Sequence, residues 1–423
     1  MISAIKGYDM LKRKILFLAL IGTLWGAAAQ PPCTNADWVL ADLRAVANSP
    51  NYYWAWTYEW LNHAGVTGDM RNVVEKDGVF APKPLSEVEL VCDIQKRTGG
   101  RTAVLNYADL ASLVGTWHPE RYYKVNRAGM TAAVKKQWAE FRGVMVFNWH
   151  MDHPYCTNGF KKASYRFKSE GEDRNIVRQI LDGTGRPCGT GCMTGVTERR
   201  PFANPREWYL DSLKDVADFF NGLVDEATGE KIPVILRYPH EMDGDWFWWG
   251  RTWCMVDEFR RLCRMEADFL REKCPGQIIF AYTPDRTWSE FGSEGDEGNT
   301  FLAYYPGDRY VDIIGLDDYS IGNGADPEKA LGETVRKLRL MTAFAERRGK
   351  IVAISESGGK ERRDDFWTFL HRAATADGVK CAFANTWWGK YGTMPNTAKE
   401  AANQMEFISN PNVLLSDSRR NRK

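Results

Sequence analysis

The chain has 423 residues, long for one hydrophobic core but within reach of a single α/β barrel with insertions. Its 56 basic and 55 acidic residues leave a net charge of +1, which gives no reason to expect nucleic acid or an anionic membrane surface as partner. Aromatic residues make up 13% of the sequence and include 17 tryptophans, an excess that favours a carbohydrate ligand.

The N-terminus reads as a processed leader. Lys12-Arg13-Lys14 is a basic flank, Ile15 to Trp25 an apolar run too short to span a bilayer, and Ala27-Ala28-Ala29 a small-residue cleavage pattern. Residues 1–29 are therefore expected to be a signal peptide, with Met10 a candidate true start and Gln30 the first mature residue. A buried N-terminal helix is the competing reading. Cys33 follows Gln-Pro-Pro and lacks the small residue of a lipid-attachment site, so secretion or a periplasmic location is expected, with no membrane span. The nine cysteines fit an oxidising compartment, and their odd number leaves at least one without a partner in the chain. Cys188 can bridge Cys192 locally, and either can bridge Cys156 or Cys254. The C-x3-C spacing lacks a second pair and is a poor zinc signature.

From about residue 50 to 410, short apolar runs alternate with longer amphipathic stretches. The predicted strands are Tyr52–Trp56, Thr102–Asn106, Gly143–Phe147, Pro233–Leu236, Gln277–Ala281, Val311–Gly315, Ile351–Ile354 and Lys380–Ala384. Predicted helices between them include Pro205–Asn221, Val256–Lys273, Pro327–Arg348 and Arg363–Asp377. The aromatic string of the first run reads equally as a helix. Eight such runs predict an α/β fold of the (β/α)8 TIM-barrel type, a single catalytic domain over 30–423. No glycine-rich phosphate turn follows an early strand, which argues against nucleotide binding. A long connection, 155–204, follows the third strand and either walls a substrate cleft or is a solvated excursion.

In such a barrel the residues just past each strand share one mouth. The third run gives Asn148, Trp149, His150, Asp152 and His153. The fourth gives Arg237, His240, Glu241, Asp243 and Trp246; the fifth Tyr282, Asp285 and Trp288; the sixth Asp317, Asp318 and Tyr319. Glu356 follows the seventh, in ISESGG, and Asn385, Thr386, Trp387 and Trp388 the eighth. Carboxylates facing indoles suit sugar chemistry, because indole faces stack on pyranose C–H faces while a carboxyl carries a proton. Glu241 and Glu356 are the candidate pair, one to protonate the leaving oxygen and one to attack or stabilise the anomeric carbon. Arg237 and a Tyr hydroxyl are candidate donors to the nucleophile. Any one of Asp152, Asp243, Asp285, Asp317 and Asp318 reads more readily as a cap or ion-pair residue. His150, His153 and His240 match no metal-site spacing, so a hydrogen bond to substrate is the better reading. Trp149, Trp246, Trp387 and Trp388 are sugar platforms or core.

These stretches resemble glycoside hydrolase family 26, whose members include endo-β-1,4-mannanases. RYPHEMDGDWFWWG is similar to the family's signature R-P-x-H-E-M-N-G-x-W-F-W-W-G, departing at Tyr238, Pro239 and Asp243. IVAISESGG resembles the strand bearing the family's nucleophile, FNWHMDHP its S-W-H-x-x-N-P, and VDIIGLDDYS its stretch with a tyrosine beside the nucleophile. The resemblance implies a retaining double displacement with Glu241 as acid/base and Glu356 as nucleophile, and Tyr319 hydrogen-bonded to that nucleophile. It places His150, His240, Trp246 and Trp387 against sugar. It implies a mannan-type polysaccharide or oligosaccharide as substrate and neither metal nor organic cofactor; a monomer is expected. Exo-acting release of mannobiose, action on β-xylan or mixed-linkage β-glucan, and a silent polysaccharide binder are the alternatives.

Overall fold

The computed structural model describes residues 34–57, 73–76, 79–82, 97–114, 120–151, 153–155, 175–188, 201–324, 326–387 and 389–420. The leader expectation falls outside these residues, as do Asp152, Trp388, Cys156 and Cys192. All elements below belong to one unit, 35–423.

Eight parallel strands close into a barrel: β1 Tyr52–Thr57, β2 Leu105–Asp109, β3 Val144–Asn148, β4 Val234–Arg237, β5 Ile278–Tyr282, β6 Ile313–Asp317, β7 Ile351–Glu356 and β8 Cys381–Thr386. Each pairs with its neighbours in chain order, and β8 returns to β1 with Tyr53 opposite Phe383 and Trp56 opposite Thr386. The chain is thus a (β/α)8 barrel. Residues Val413–Leu414 add a short parallel strand beside the start of β1.

The ambiguous aromatic string is a strand because both of its faces are covered. All six residues of β1 are buried, and Trp54 lies 5.2 Å from Trp367 and 5.3 Å from Phe407 by ring centroid. A strand packed on both sides needs no polar alternation.

The described helices longer than four residues are α1 Asn35–Ala47, α2 Glu120–Phe141, α3 Ile176–Asp182, α4 Pro205–Asn221, α5 Val256–Lys273, α6 Pro327–Arg348, α7 Phe366–Ala374 and α8 Ala398–Ser409. Boundaries of α4, α5 and α6 coincide with the prediction, and their ends explain why. Asn204 accepts a hydrogen bond from the Glu207 N–H ahead of Pro205, and Asp326 does the same for Lys329 ahead of Pro327. Gly349 ends α6 in the left-handed conformation, φ 66°. The described part of the 155–204 connection contains α3, capped by Asn175 and closed by Gly183, and an antiparallel bridge between Cys188 and Phe202. The bridges suggested for Cys188 and for Cys254 are corrected: both are free thiols, as are Cys263, Cys274 and Cys381, and all five are buried, while a Cys156–Cys192 bridge lies outside the described residues. No helix among the described residues is long and apolar enough to cross a membrane.

Candidate active site

Arg237, the last residue of β4, sits inside the barrel and is 1% exposed. A buried guanidinium is tolerable only with charged partners. It has two: it donates to Asp317 Oδ2 at 2.5 Å and to Glu356 Oε1, and its Nε donates to Thr283 Oγ1 at 3.1 Å. Burial disfavours its charge, but Asp317 and Glu356 outweigh that and hold its pKa above the ordinary arginine value.

The strand bearing Glu356 is irregular. Leu316 lies opposite Ile354 and Asp317 opposite Glu356, so Ser355 is an extra residue in β7. Such a bulge lets successive side chains face the same side. Ser355 Oγ therefore donates to Asp317 Oδ1 at 2.5 Å while Glu356 reaches Arg237. Tyr319 completes the group, its hydroxyl donating to Glu356 Oε2 at 2.6 Å. Both oxygens of Glu356 thus accept hydrogen bonds, one of them charge-assisted.

Glu241 lies across the mouth. Its backbone takes φ 52°, a left-handed value uncommon outside glycine, and its N–H donates to the Thr283 carbonyl at 3.0 Å. Trp246 Nε1 donates to its Oε2 at 2.6 Å. Burial first, then the charges of Glu356, Asp317 and Asp285, push the Glu241 pKa well above the usual carboxyl range, and the Trp246 hydrogen bond opposes them. One oxygen each from Glu241, Asp317 and Glu356 lie within 4.8 Å of one another. The arrangement pairs a carboxyl group kept protonated with a carboxylate held by two donors. The three acids form a candidate cation cluster, but Arg237 already bridges two of them, so a metal ion would have to compete with a buried guanidinium.

The predicted binding residues divide. His150 and His240 stand edge to face with centroids 4.7 Å apart, and Trp387 lies 6.2 Å from His150. His240 is 1% exposed, its Nδ1 has no protein partner, and burial pushes its pKa well down, so the ring is neutral. Trp246 touches the Glu241 carboxyl directly. Trp149 does not join this group: it is buried and stacks on Tyr209 of α4 at 6.4 Å, between sheet and helix. His153 is also core; burial lowers its pKa to about 3, and its Nδ1 accepts from the Tyr155 N–H. Asp243 accepts from the Asp285 N–H at 2.7 Å and the Thr287 hydroxyl at 2.6 Å, and Asp318 from Ser320 and Thr334, so both hold loops.

Two participants escaped the sequence, and the ion-pair reading of a third, Asp317, is borne out by its pairing with Arg237, which it shares with Glu356. Thr283 binds both Arg237 and the Glu241 backbone, through an ordinary threonine after an apolar run. Asp109 was missed because the second strand was expected to end at Asn106, whereas β2 runs to Asp109.

Residues 205–390, which include both glutamates, match the family model described as Glycosyl hydrolase family 26. A mannan endo-1,4-beta-mannosidase of Bifidobacterium adolescentis is 33% identical over 174 residues, 38% of this chain and 17% of that protein. The Piromyces sp mannan endo-1,4-beta-mannosidase A is 24% identical over 282 residues, 66% of this chain and 34% of that protein. The chain therefore spans well under half the length of these two relatives. Among solved structures, GH26C from Muricauda sp. MAR_2010_75 superposes with a TM-score of 0.67 at 24% identity, covering 90% of this chain and 91% of that one. A GH26 beta-mannanase from Bacteroides ovatus gives 0.64 at 21%, covering 92% and 96%. These structures support the barrel fold. The resemblance to family 26, read from the motifs around Glu241 and Glu356, holds over the matched segment.

Proposed function

We propose that this chain is a retaining glycoside hydrolase that cuts internal β-1,4-mannosidic bonds of mannan, glucomannan or galactomannan. The single observation that carries the proposal is the approach of Glu241 and Glu356 to within 4.8 Å. Retaining enzymes place their carboxyl groups about 5–5.5 Å apart, and inverting ones leave roughly 6.5–9.5 Å for a water. The mannan specificity rests on the family match and on the names of the curated relatives.

In the first step Glu241 protonates the glycosidic oxygen while the Glu356 carboxylate attacks C1 from the opposite face. The C1–O bond to the leaving sugar breaks and a glycosyl ester forms on Glu356. Arg237 and Tyr319 orient the attacking oxygens. In the second step Glu241, now a carboxylate, takes a proton from water, whose oxygen attacks C1 and releases Glu356. The chemistry is hydrolytic and the proposal includes no cofactor. His150, His240, Trp246 and Trp387 bind the sugar around this point, and the chain acts as a secreted or periplasmic monomer once residues 1–29 are removed.

The test is a time-resolved product profile on the three polysaccharides. A ladder of oligosaccharides from the first minutes is expected. Mannobiose alone would mean exo action; cleavage only of β-xylan or mixed-linkage β-glucan would replace the substrate; binding without turnover would mean a silent lectin-like protein. Glu356→Ala should lower kcat by more than about 10³-fold, equivalent to ~4 kcal/mol of barrier, while leaving oligosaccharide binding intact. Near-normal turnover in that variant would overturn the assignment of the nucleophile.

A further inference from the structure

Asp109 closes β2 at the same end of the barrel, and its carboxylate gathers four donors from the described residues. Oδ2 meets His150 Nδ1 at 2.5 Å and Asn148 Nδ2 at 3.3 Å. Oδ1 accepts from the backbone N–H groups of His150, at 3.2 Å, and Ala111, at 2.9 Å. A carboxylate only accepts, so the His150 proton must sit on Nδ1. The other ring nitrogen is left for the mouth, where the His150 side chain keeps 21% of its exposure while Asp109 keeps 12%. His240, Phe247 and Trp387 lie around the ring and restrict its rotation.

We propose that Asp109 is the positioning residue of the sugar site: it fixes the orientation and the charge of His150, so that the Nε2–H of an imidazolium donates to a hydroxyl of the bound sugar. The inference rests on the hydrolase reading for its ligand, but its central measurement does not. The groups acting on His150 divide by sign. Burial and Arg237 disfavour the imidazolium, Asp109 and Glu356 favour it, and the balance raises the His150 pKa above 6.5. Neighbouring His240 is held neutral and does not compete for the proton. The charges acting most on Glu241 are Glu356, Asp317 and Asp285, and Asp109 is not among them.

Asp109→Asn is the test: with its single amide oxygen left on the Ala111 cap, asparagine keeps the shape but turns an NH2 toward His150 Nδ1, which removes both the charge and the acceptor. Ring-labelled histidine NMR follows the titration directly, among only six histidines in the chain. In the native protein His150 should titrate above the ordinary value, and in Asp109→Asn below its native value. In kinetics, kcat/KM at neutral pH should fall roughly tenfold, the loss of one charge-assisted hydrogen bond, mostly through KM. Asp109→Ala, which also removes the acceptor of the Ala111 N–H, should lower kcat/KM at least as far. A native His150 titrating at or below the ordinary value overturns the proposal even if the variants do not fold. So does a pH profile of Asp109→Asn that superimposes on the native one. Failure of the hydrolase reading would instead show as absent turnover with the titrations as expected.

Discussion

At the scale of single residues, the site separates two chemically identical side chains by their surroundings. Glu241 sits among three other carboxylates with one indole donor, and Glu356 receives an arginine and a tyrosine. That division sets the sign of a prediction. The Trp246 hydrogen bond lowers the Glu241 pKa, so its loss must raise a value that is already high. Glu241 then stays protonated to higher pH, and the alkaline limb of kcat/KM governed by this acid should move upward in Trp246→Phe. Activity at the optimum should fall about tenfold, the worth of one hydrogen bond to a reacting group. A pH–rate profile decides it, and an alkaline limb that stays or moves down counts against Glu241 as the acid. Both glutamates were legible in the sequence because each follows a buried apolar run. The indoles were not separable: Trp149 and Trp246 occur in equally aromatic stretches, yet one faces a helix and the other the acid. A side chain's direction depends on strand register and loop path, which composition does not encode.

At the scale of elements, all eight strands were legible, but several were expected to end too early. The second was expected at Thr102–Asn106 and lies at Leu105–Asp109; the sixth was expected at Val311–Gly315 and lies at Ile313–Asp317. In both cases the strand continues to an aspartate that resembles loop. Both are tolerated because the barrel supplies partners: Asp109 has His150, and Asp317 has Arg237 and Ser355. The bulge at Ser355 leaves no trace in the hydrophobic pattern. It depends on Gly315 in the neighbouring strand, where an added Cβ would lie 2.4 Å from Ser355 Oγ, 2.7 Å from Ser355 Cβ and 2.8 Å from a Thr283 methyl. Gly315→Ala should therefore press on the Ser355–Asp317 contact and on Thr283 together. Overpacking of this kind costs about 1–3 kcal/mol, and a lowered denaturation midpoint in urea would register it. An unchanged midpoint would mean that β6 and β7 can separate without cost.

For the whole molecule, closing the barrel requires joining the two ends of the chain. Beyond the pairing of β8 with β1, a residue near the C-terminus performs this task. Arg419 is 2% exposed, and its Nη2 donates to Asp42 Oδ2 of α1 at 2.5 Å. It also donates to the Tyr53 hydroxyl of β1 at 3.0 Å and to the carbonyl of Arg142, just past α2, at 2.6 Å. Its guanidinium lies 5.1 Å from the Trp38 ring and 4.9 Å from that of Tyr53. One buried cation thus ties α1, β1 and the end of α2 to the last turn of the chain. Nothing in the arginine-rich terminal sequence set Arg419 apart from its neighbours, because its partner is 377 residues away. Removing one member of a buried pair strands the other, at a cost of about 3–5 kcal/mol. Asp42→Ala should lose stability on that order in chemical denaturation, while Tyr53→Phe, which deletes a neutral hydroxyl, should lose about 1 kcal/mol. Since neither residue lies near Glu241 or Glu356, turnover per folded molecule should persist in both variants at low temperature. Equal, small losses from Asp42→Ala and Tyr53→Phe would show that water reaches Arg419 and that the ends of the chain are held by strand pairing alone.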